Sequence, residues 1–477
     1  MRSVRHWSVR HARGMELFYK GFCRILPLLR AGLSLLGRKR SDRLLAAVES
    51  RLKGILFDCR MCGQCVLSAT GMACPMNCAK RLRNGPCGGV TAEGCCEVHT
   101  DMPCVWLEAF KGAGQMAMHT EIARIQPPVD YSREGSSSWL EIALGEKGTP
   151  AESQPPAPSP PERQPAAFEQ SCRSGRFLVT AEISPPDSVD PQDLLIRAGH
   201  FRGLVDAVNV TDSAGANCHM SSLAASTILA AGGYPSVFQI GCRDRNRIAI
   251  QADLVGAAAL GVRNLLCLTG DDVKSGDHPQ ARPVFDLDAV SLLEIASGMR
   301  DRGEYASGRR LSSSPNLFLG STISPFVPTL ESRLVNLEKK IEAGAQFIQT
   351  QFCFDLEMFK KFMVEVRARG FEQRCRILVG VGPLASVRVA RWLNGNIPGV
   401  VIPDGVIRRL EQAKDPKLEG KKICIETIQA LREIAGVAGV HLMGHRNEHV
   451  LAEIIVESGA AQRVQTAADP SRRLRAG

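Results

Sequence analysis

The chain has 477 residues, 44% of them hydrophobic, a length that indicates two or three domains. Its formal net charge is +10. Residues 1–53 hold thirteen Lys or Arg against three acidic residues, so this arm carries the whole excess and a general nucleic-acid function is not expected. Arg24 and Arg30 interrupt the apolar stretches near the N-terminus. Neither a transmembrane segment nor a signal peptide is therefore predicted, and the expected location is the cytoplasm.

Residues 1–57 are predicted to form a basic helical region. Residues 1–14 are basic and without pattern, which makes Met15 a candidate for the true start. Between residues 15 and 57, Leu, Ile and Phe recur at intervals of three and four residues, which is typical of amphipathic helices. The basic charge indicates either a solvated helical face or contact with a partner protein or with the surface of a membrane.

Residues 58–115 form a cysteine-rich module that holds nine of the seventeen cysteines. Because this segment is rich in Gly and Pro and can bury little apolar surface, a bound metal is its expected organiser. Cys59, Cys62 and Cys65 have the C-x2-C-x2-C spacing that directs three thiolates at one cluster. An iron–sulfur cluster and a structural zinc site are the main interpretations, with unmetallated thiols or disulfides as a third. Nine cysteines also leave room for a second metal site.

Residues 116–175 are predicted to be a polar, Pro-rich linker, since they include the sequence PAESQPPAPSPPERQP. From 176 to 465, short apolar runs alternate with helical patterns, which predicts an α/β fold with a (β/α)8 TIM barrel. The eight predicted strands are 177–183, 207–210, 236–241, 264–269, 317–323, 347–352, 377–381 and 440–443. Residues 466–477 are expected to be a disordered tail.

Polar residues stand at the ends of several of these strands. Glu182 lies in an apolar run, where burial raises the pKa of a carboxyl and suits a general acid; the alternative is a salt-bridged Glu. Asp271 follows Gly270, and its carboxylate either stabilises a developing cation or caps a helix. Gln349 and Gln351 share one strand face, where an amide either reads the edge of a heterocycle or is satisfied internally.

A dinucleotide site of the Rossmann or P-loop type is not expected, because the sequence contains neither G-x-G-x-x-G nor G-x-x-x-x-G-K-[ST]. The second predicted strand ends NVTDSAGAN, a polar, glycine-containing loop that suits a phosphate or a ribose. A flavin held at the mouth of the barrel is therefore favoured.

The cysteine-rich segment resembles a known electron-transfer subunit. CRMCGQCVLSATGMACPMNCAKRLRNGPCGG, continuing through CEVHTDMPCVWLEAF, is similar to the small cysteine-rich partner subunit of bacterial methylenetetrahydrofolate reductases over roughly residues 45–115. In that family the module carries iron–sulfur and passes electrons to a flavin barrel. The resemblance implies a [4Fe-4S] cluster, with zinc as the alternative. It implies ligands drawn from Cys59, Cys62, Cys65, Cys74, Cys78, Cys87, Cys96 and Cys104.

Residues 176–460 resemble the catalytic barrel of methylenetetrahydrofolate reductase, because EISPP, NVTD, LTGDD, AGAQFIQTQFCFD and HLMGHR stand in that family's order. The resemblance implies that Glu182 protonates N10 of the folate and opens its five-membered ring. The iminium carbon then accepts a hydride from reduced flavin N5, and Asp271 opposes the positive charge. Gln351 is implied as a pterin ligand and Arg446 as a contact to the folate tail.

The same resemblance implies a flavin, FAD with FMN as the alternative. The implied cofactor-binding positions are Thr211, Gln239, Thr269, Gly270, Thr322, Asn336 and Lys340. The NADH-dependent members of the family have Arg, His and Tyr in place of Thr269, Gln239 and Ser324. Direct stacking of NADH is therefore less favoured than delivery of electrons through the cysteine-rich module.

The predicted enzyme reduces 5,10-methylenetetrahydrofolate to 5-methyltetrahydrofolate, with ferredoxin or a NAD(P)H-oxidising protein as the electron donor. A homo-oligomer is expected, and peripheral contact with a membrane stays open. The alternatives are a reductase that uses NAD(P)H directly and holds structural zinc, and a non-redox protein that carries folate to a methyltransferase.

Overall fold

A computed structural model describes residues 2–145 and 164–461 of the chain. Its helices in the N-terminal part are α1 Arg2–Arg10, α2 Ala12–Ile25, α3 Arg30–Leu36, α4 Arg38–Phe57, α5 Val105–Ala113, α6 Ser138–Leu144 and α7 Ala167–Arg173. The Pro-rich sequence at 146–163 and the predicted tail at 466–477 lie outside the described residues.

Eight parallel strands form a closed barrel in sequence order, and the last pairs with the first. They are β1 Leu178–Ile183, β2 Ala207–Val210, β3 Ser236–Gly241, β4 Asn264–Leu268, β5 Phe318–Ile323, β6 Phe347–Phe352, β7 Arg376–Val381 and β8 Val437–Leu442. Each overlaps one predicted run, so the predicted (β/α)8 barrel is confirmed. The runs are almost continuously apolar because both faces of a parallel barrel strand are covered.

Helices cover the outside of the barrel. They are α8 Pro191–Gly199, α9 Ser222–Ala231, α10 Arg247–Ala259, α11 Ala289–Asp301, α12 Leu330–Glu342, α13 Leu356–Ala368, α14 Phe371–Arg374, α15 Val387–Asn396, α16 Asp404–Gln412, α17 Pro416–Arg432 and α18 Glu448–Glu457. Within residues 2–145 and 164–461, none of the helices has both the length and the apolar character that a membrane crossing requires.

The amino end of the barrel is closed by α7. Phe168 on this helix is fully buried and meets the rings of Phe318 and Phe347 edge to face, at centroid distances of 5.9 and 5.3 Å. The first residues of several strands complete this apolar layer, among them Leu178, Val237, Leu266 and Leu378. Apolar side chains thus fill this end of the barrel, and the polar residues lie at the opposite end.

The N-terminal part packs around three small apolar clusters. The helical region predicted for residues 1–57 is present as α1–α4. Trp106 on α5 is buried, and its indole N–H donates to the carbonyl of Leu82 at 3.1 Å. Helix α6 packs against α4, and the ring of its Trp139 meets Phe22 of α2 edge to face. Residues between the cysteines form mainly turns and 3-10 helices, so little regular backbone hydrogen bonding holds them.

We predict that Phe168→Ala lowers the stability of the barrel by about 3–5 kcal/mol, because it opens a cavity between three aromatic rings. Phe18→Ala is the matched control, since the Phe18 side chain is 66% exposed. Chemical denaturation followed by far-ultraviolet circular dichroism measures both. Equal midpoints for the two variants would contradict the plugging role of Phe168.

Candidate active site at the mouth of the barrel

The predicted site residues gather at one end of the barrel. Glu182, Gln239, Thr322 and Gln351 belong to the last residues of β1, β3, β5 and β6. Four others stand in the segments that follow β2, β4 and β8: Thr211, Thr269, Asp271 and Arg446. Because all strands of a closed parallel barrel point the same way, their carboxyl ends meet at a single mouth.

A buried polar layer lies directly below this mouth. The Thr180 hydroxyl and His441 Nδ1 are 3.0 Å apart, and Asn209 Nδ2 is 3.4 Å from His441 Nε2. The Asn209 amide also donates to Gln349 Oε1 at 3.2 Å, and Gln349 Nε2 is 3.4 Å from the Thr180 hydroxyl. These four side chains come from β1, β2, β6 and β8, so the layer ties opposite sides of the barrel together.

Glu182 lies one layer above His441, with 4.0 Å between its Oε2 and Nε2 of the imidazole. Burial lowers the pKa of His441 to about 3, so the ring is neutral and gives the carboxylate no positive partner. Burial also raises the pKa of Glu182 to about 7. Its side chain keeps 22% exposure, which leaves the carboxyl open to a ligand in the mouth. A carboxylic acid with these properties can donate a proton near neutral pH.

Buried polar atoms at the same level indicate that the mouth receives a ligand. Nine buried side-chain polar atoms of the described residues have no hydrogen-bond partner, and two of them lie at this level, the hydroxyl of Thr211 and the carbonyl oxygen of the Asn209 side chain. Buried polar groups are nearly always satisfied, because an unmet donor or acceptor costs about 1–3 kcal/mol. A polar ligand seated above β2 would restore these contacts.

The loop after β4 brings backbone rather than a side chain close to the site. Gly270 has φ +95°, and a Cβ there would approach Cβ of Arg243 to 2.9 Å. Asp271 is exposed and accepts from the backbone N–H of Gly215 at 3.0 Å. The carboxylate is therefore held against the loop that follows β2. Thr269 accepts from the backbone N–H of Ala289 at 3.3 Å, at the start of α11.

On the far side of the mouth, Gln351 and Arg446 are the predicted folate contacts. The side-chain oxygen of Gln351 accepts from the N–H of Phe352 at 3.0 Å, and its Nε2 is 3.5 Å from the carbonyl of Pro398. Arg446 is 56% exposed and pairs with Asp187 at 3.2 Å. Both stand near solvent, as contacts to an entering substrate should.

The cysteine-rich module docks on the β4–β5 side of the mouth through one buried carboxylate. Asp288 is the N-cap of α11 and accepts from the N–H of Ser291 at 2.8 Å. It also accepts from the backbone N–H groups of Arg83 and Asn84, at 3.2 and 2.8 Å. Lys80 adds a second contact, because its ammonium pairs with Glu97 and donates to the carbonyl of Gly270 at 2.6 Å.

Two predicted cofactor residues face this docked module. Asn336 donates to the carbonyl of Pro86 at 3.1 Å, and Lys340 donates to the carbonyl of Thr322. Burial lowers the pKa of Lys340 to about 8, against the nearby charge of Cys87. A flavin that used both residues would therefore meet the module at the same place.

The eight predicted metal ligands fall into two groups of four. The first thiol group surrounds one cavity of about 20 Å³ and consists of Cys59, Cys62, Cys65 and Cys74. Burial, together with the charges of the other three, raises the pKa of Cys74 to about 12. The second thiol group consists of members that lie close enough for their charges to interact: Cys78, Cys87, Cys96 and Cys104.

The spacing within these groups does not match a single bound ion. Across residues 2–145 and 164–461, no three His, Cys, Asp or Glu side chains are arranged so that they could hold a metal ion. Four thiols around one cavity nevertheless form the donor set that zinc and iron–sulfur clusters share.

The sequence did not reveal Thr180, Asn209 and His441, nor Lys80 and Glu97 of the module. The first three leave a faint signal, since each is a polar residue at an alternating position within an apolar strand. Lys80 and Glu97 leave none, because their role depends on a contact across about 190 residues of chain, as the separation of Lys80 and Gly270 shows.

We predict that Glu182→Gln makes the protein more stable at pH 8. The pKa of Glu182 in the folded protein lies above its ordinary value of 4.5, so wild-type stability falls as pH rises from about 4.5 through about 7. The amide of the variant has no such loss. Because the carboxyl is partly exposed, we expect the free energy of unfolding of the variant, relative to wild type, to be about 2 kcal/mol larger at pH 8 than at pH 4. Urea unfolding at both pH values measures this difference, with Glu342→Gln as the control. A difference that does not change with pH would contradict the raised pKa.

Comparison with known proteins gives a family for both parts of the chain. The family model described as "Methylenetetrahydrofolate reductase" matches residues 167–459, and the one described as "Methylene-tetrahydrofolate reductase C terminal" matches residues 39–132. Among the solved structures that this chain resembles is an uncharacterized protein from Clostridium thermocellum that binds two copies of 5-methyl-5,6,7,8-tetrahydrofolic acid. It is 14% identical, with a TM-score of 0.42, over 62% of this chain and 99% of that one.

Two relatives match about half of the chain. The probable methylenetetrahydrofolate reductase (NADPH) of Caenorhabditis elegans is 26% identical over 50% of this chain and 34% of its own length. The 5,10-methylenetetrahydrofolate reductase of Pectobacterium carotovorum subsp. carotovorum is 24% identical over 47% of this chain and 74% of its own length. The chain thus spans about a third of the nematode relative. Since the first family model covers more than half of the chain, this protein belongs to the methylenetetrahydrofolate reductase family.

Proposed function

We propose that this protein reduces 5,10-methylenetetrahydrofolate to 5-methyltetrahydrofolate on a flavin at the barrel mouth, with electrons delivered through the cysteine-rich module. The observation that carries the proposal is the Glu182 carboxyl, which stands at the end of β1 with a pKa of about 7 above a neutral His441. A group that is protonated near neutral pH, and that can become a carboxylate, suits the ring opening of a methylene-bridged folate.

The proposed role of Glu182 is to give its proton to N10 of the folate. The N10–methylene bond then breaks, and the methylene carbon remains on N5 as an iminium ion. The carboxylate of Asp271, held by the N–H of Gly215, opposes this positive charge. Gln351 would orient the pterin, and Arg446 would hold the acidic tail of the folate. Glu182 recovers its proton from solvent through its exposed edge.

The polar side chains at the mouth suit a bound flavin. Thr211 and Asn209 present buried polar atoms that lack partners among the described residues, and Lys340 supplies a buried cation for a phosphate. When bound, the flavin would supply the hydride that converts the iminium carbon into a methyl group. FAD is proposed from the family resemblance and FMN is the alternative; extraction and quantification of the bound flavin decide between them.

The two thiol groups would each hold one [4Fe-4S] cluster and supply one-electron transfer between an outside donor and the flavin. The positions of the two groups support a route from the first group to the second and then to the flavin. The first thiol group lies against α4 and α6, beside Lys53 and Ser138. Cys87 of the second thiol group lies close to Lys80 and Lys340 at the mouth. Ferredoxin or a NAD(P)H-oxidising protein is the proposed donor.

A second candidate is that the module holds zinc and the barrel uses NAD(P)H directly. Four cysteines that line one cavity are also the donor set of a structural zinc site. Iron, sulfide and zinc measured in protein purified without oxygen separate the two candidates.

We predict that Glu182→Gln slows formation of 5-methyltetrahydrofolate by about 100- to 10,000-fold, the range that a general acid contributes. Reduction of the bound flavin by dithionite is expected to be unchanged, because no proton passes from Glu182 in that step. Glu342→Gln serves as the control for both assays. Wild-type turnover in the Glu182 variant would refute the acid role.

We predict that Cys62→Ser and Cys87→Ser each remove about half of the iron, because each breaks one of two four-thiolate sites. Cys95→Ser is the matched control: Cys95 adjoins the ligand candidate Cys96 but belongs to neither thiol group. Iron and sulfide analysis with electron paramagnetic resonance of the reduced protein measures the loss. Unchanged iron in either ligand variant, or zinc in place of iron in the wild type, would contradict the two-cluster assignment.

A further inference from the structure

The N-terminal helices present an unusual number of apolar side chains to solvent. Two of these leucines are almost fully exposed, Leu28 at 79% and Leu35 at 89%. We define the N-terminal surface as the exposed apolar side chains on α2, on the 3-10 helix Leu26–Leu29 and on α3, with the basic residues between them. The apolar members are Leu17, Phe18, Ile25, Leu28, Leu29, Leu35 and Leu36. These three elements pack in succession along the chain. Folded proteins rarely leave such a set uncovered.

The exposed charges on α2, on the 3-10 helix and on α3 are of one sign. Arg24, Arg30, Lys39 and Arg40 are exposed within or beside the apolar set. The acidic residues of residues 1–57 are all engaged: Glu16 with Lys20 and the N–H of Ala117, Asp42 with the N–H of Ser137, and Glu49 with Lys53. The buried acids hold the helices together, and the outward charge is cationic.

From this pattern we infer that the N-terminal surface binds the face of an anionic lipid bilayer. Leucine and phenylalanine side chains would enter the boundary between headgroups and acyl chains, while the flanking arginine and lysine side chains meet lipid phosphates. This inference is independent of the reaction at the barrel mouth.

A bilayer fits these residues better than a protein partner. The most exposed members are leucines, which are under-represented among the residues that anchor protein–protein interfaces. They stand out from the helices at 79% and 89% exposure. A bilayer accepts protruding side chains without a complementary pocket, and basic residues that follow leucine pairs, as Arg30 follows Leu29, suit its headgroup level.

The test is flotation of the full-length protein with vesicles of phosphatidylcholine, with and without phosphatidylserine. Wild type is expected to float with the anionic vesicles and to remain below with the neutral ones. The combination Arg30→Gln, Lys39→Gln and Arg40→Gln is expected to lower binding on the order of 100-fold, since each basic residue near the surface contributes about tenfold or less. Higher salt should weaken wild-type binding in the same direction.

The apolar contribution is tested with Leu28→Ser, Leu29→Ser, Leu35→Ser and Leu36→Ser, which is expected to abolish flotation. Its matched control is Val189→Ser with Ile196→Ser, two residues of the barrel part that are 99% and 68% exposed. Circular dichroism checks that every variant is folded.

Four results would overturn the inference. One is wild type that does not float with anionic vesicles. Another is a leucine variant that floats as well as the barrel control. The third is wild type that sediments as a dimer and loses that dimer, rather than vesicle binding, in the leucine variant; the N-terminal surface would then join two copies of the chain. Reduction of the enzyme by an acidic donor protein, slowed in the leucine variant without any vesicle binding, would likewise assign the surface to a protein.

Discussion

A single buried carboxylate joins the two halves of this protein. Asp288 caps α11 of the barrel and, with the same side chain, accepts the backbone N–H groups of Arg83 and Asn84. A carboxylate away from water is tolerated only when its oxygens are satisfied. The N–H groups of the module complete the set of donors around this carboxylate. Together with the contacts of Lys80 with Gly270 and of Asn336 with Pro86, it fixes the module beside the barrel mouth.

The acid at the mouth depends on a second constraint, which is the neutrality of His441. An imidazolium at 4.0 Å would favour the carboxylate and pull the pKa of Glu182 down. Burial within the polar layer prevents this, because Thr180 and Asn209 satisfy the two ring nitrogens without adding charge. The buried polar layer thus keeps the pKa of Glu182 high.

Much of the fold could be predicted, because the eight strands of a parallel barrel appear in the sequence as apolar runs separated by helices. Glu182 and Asp271 could also be placed, since the end of each run marks the mouth. The division of the eight cysteines into two groups could not be predicted. C-x2-C spacing fixes only local neighbours, and the backbone between the cysteines is irregular. The contact of Asn336 with Pro86, which joins residues 250 positions apart, could not be predicted either.

The docked module gives the mouth two different sides. It covers β4 and β5, where Lys80 meets Gly270, and leaves β6, β8 and β1 facing solvent near Gln351 and Arg446. Under the proposed function, reducing equivalents would arrive through the wall that the module forms, and folate through the opposite opening. The two reactants would then occupy separate places, so the steady-state kinetics would pass through a ternary complex, and excess folate would not block reduction.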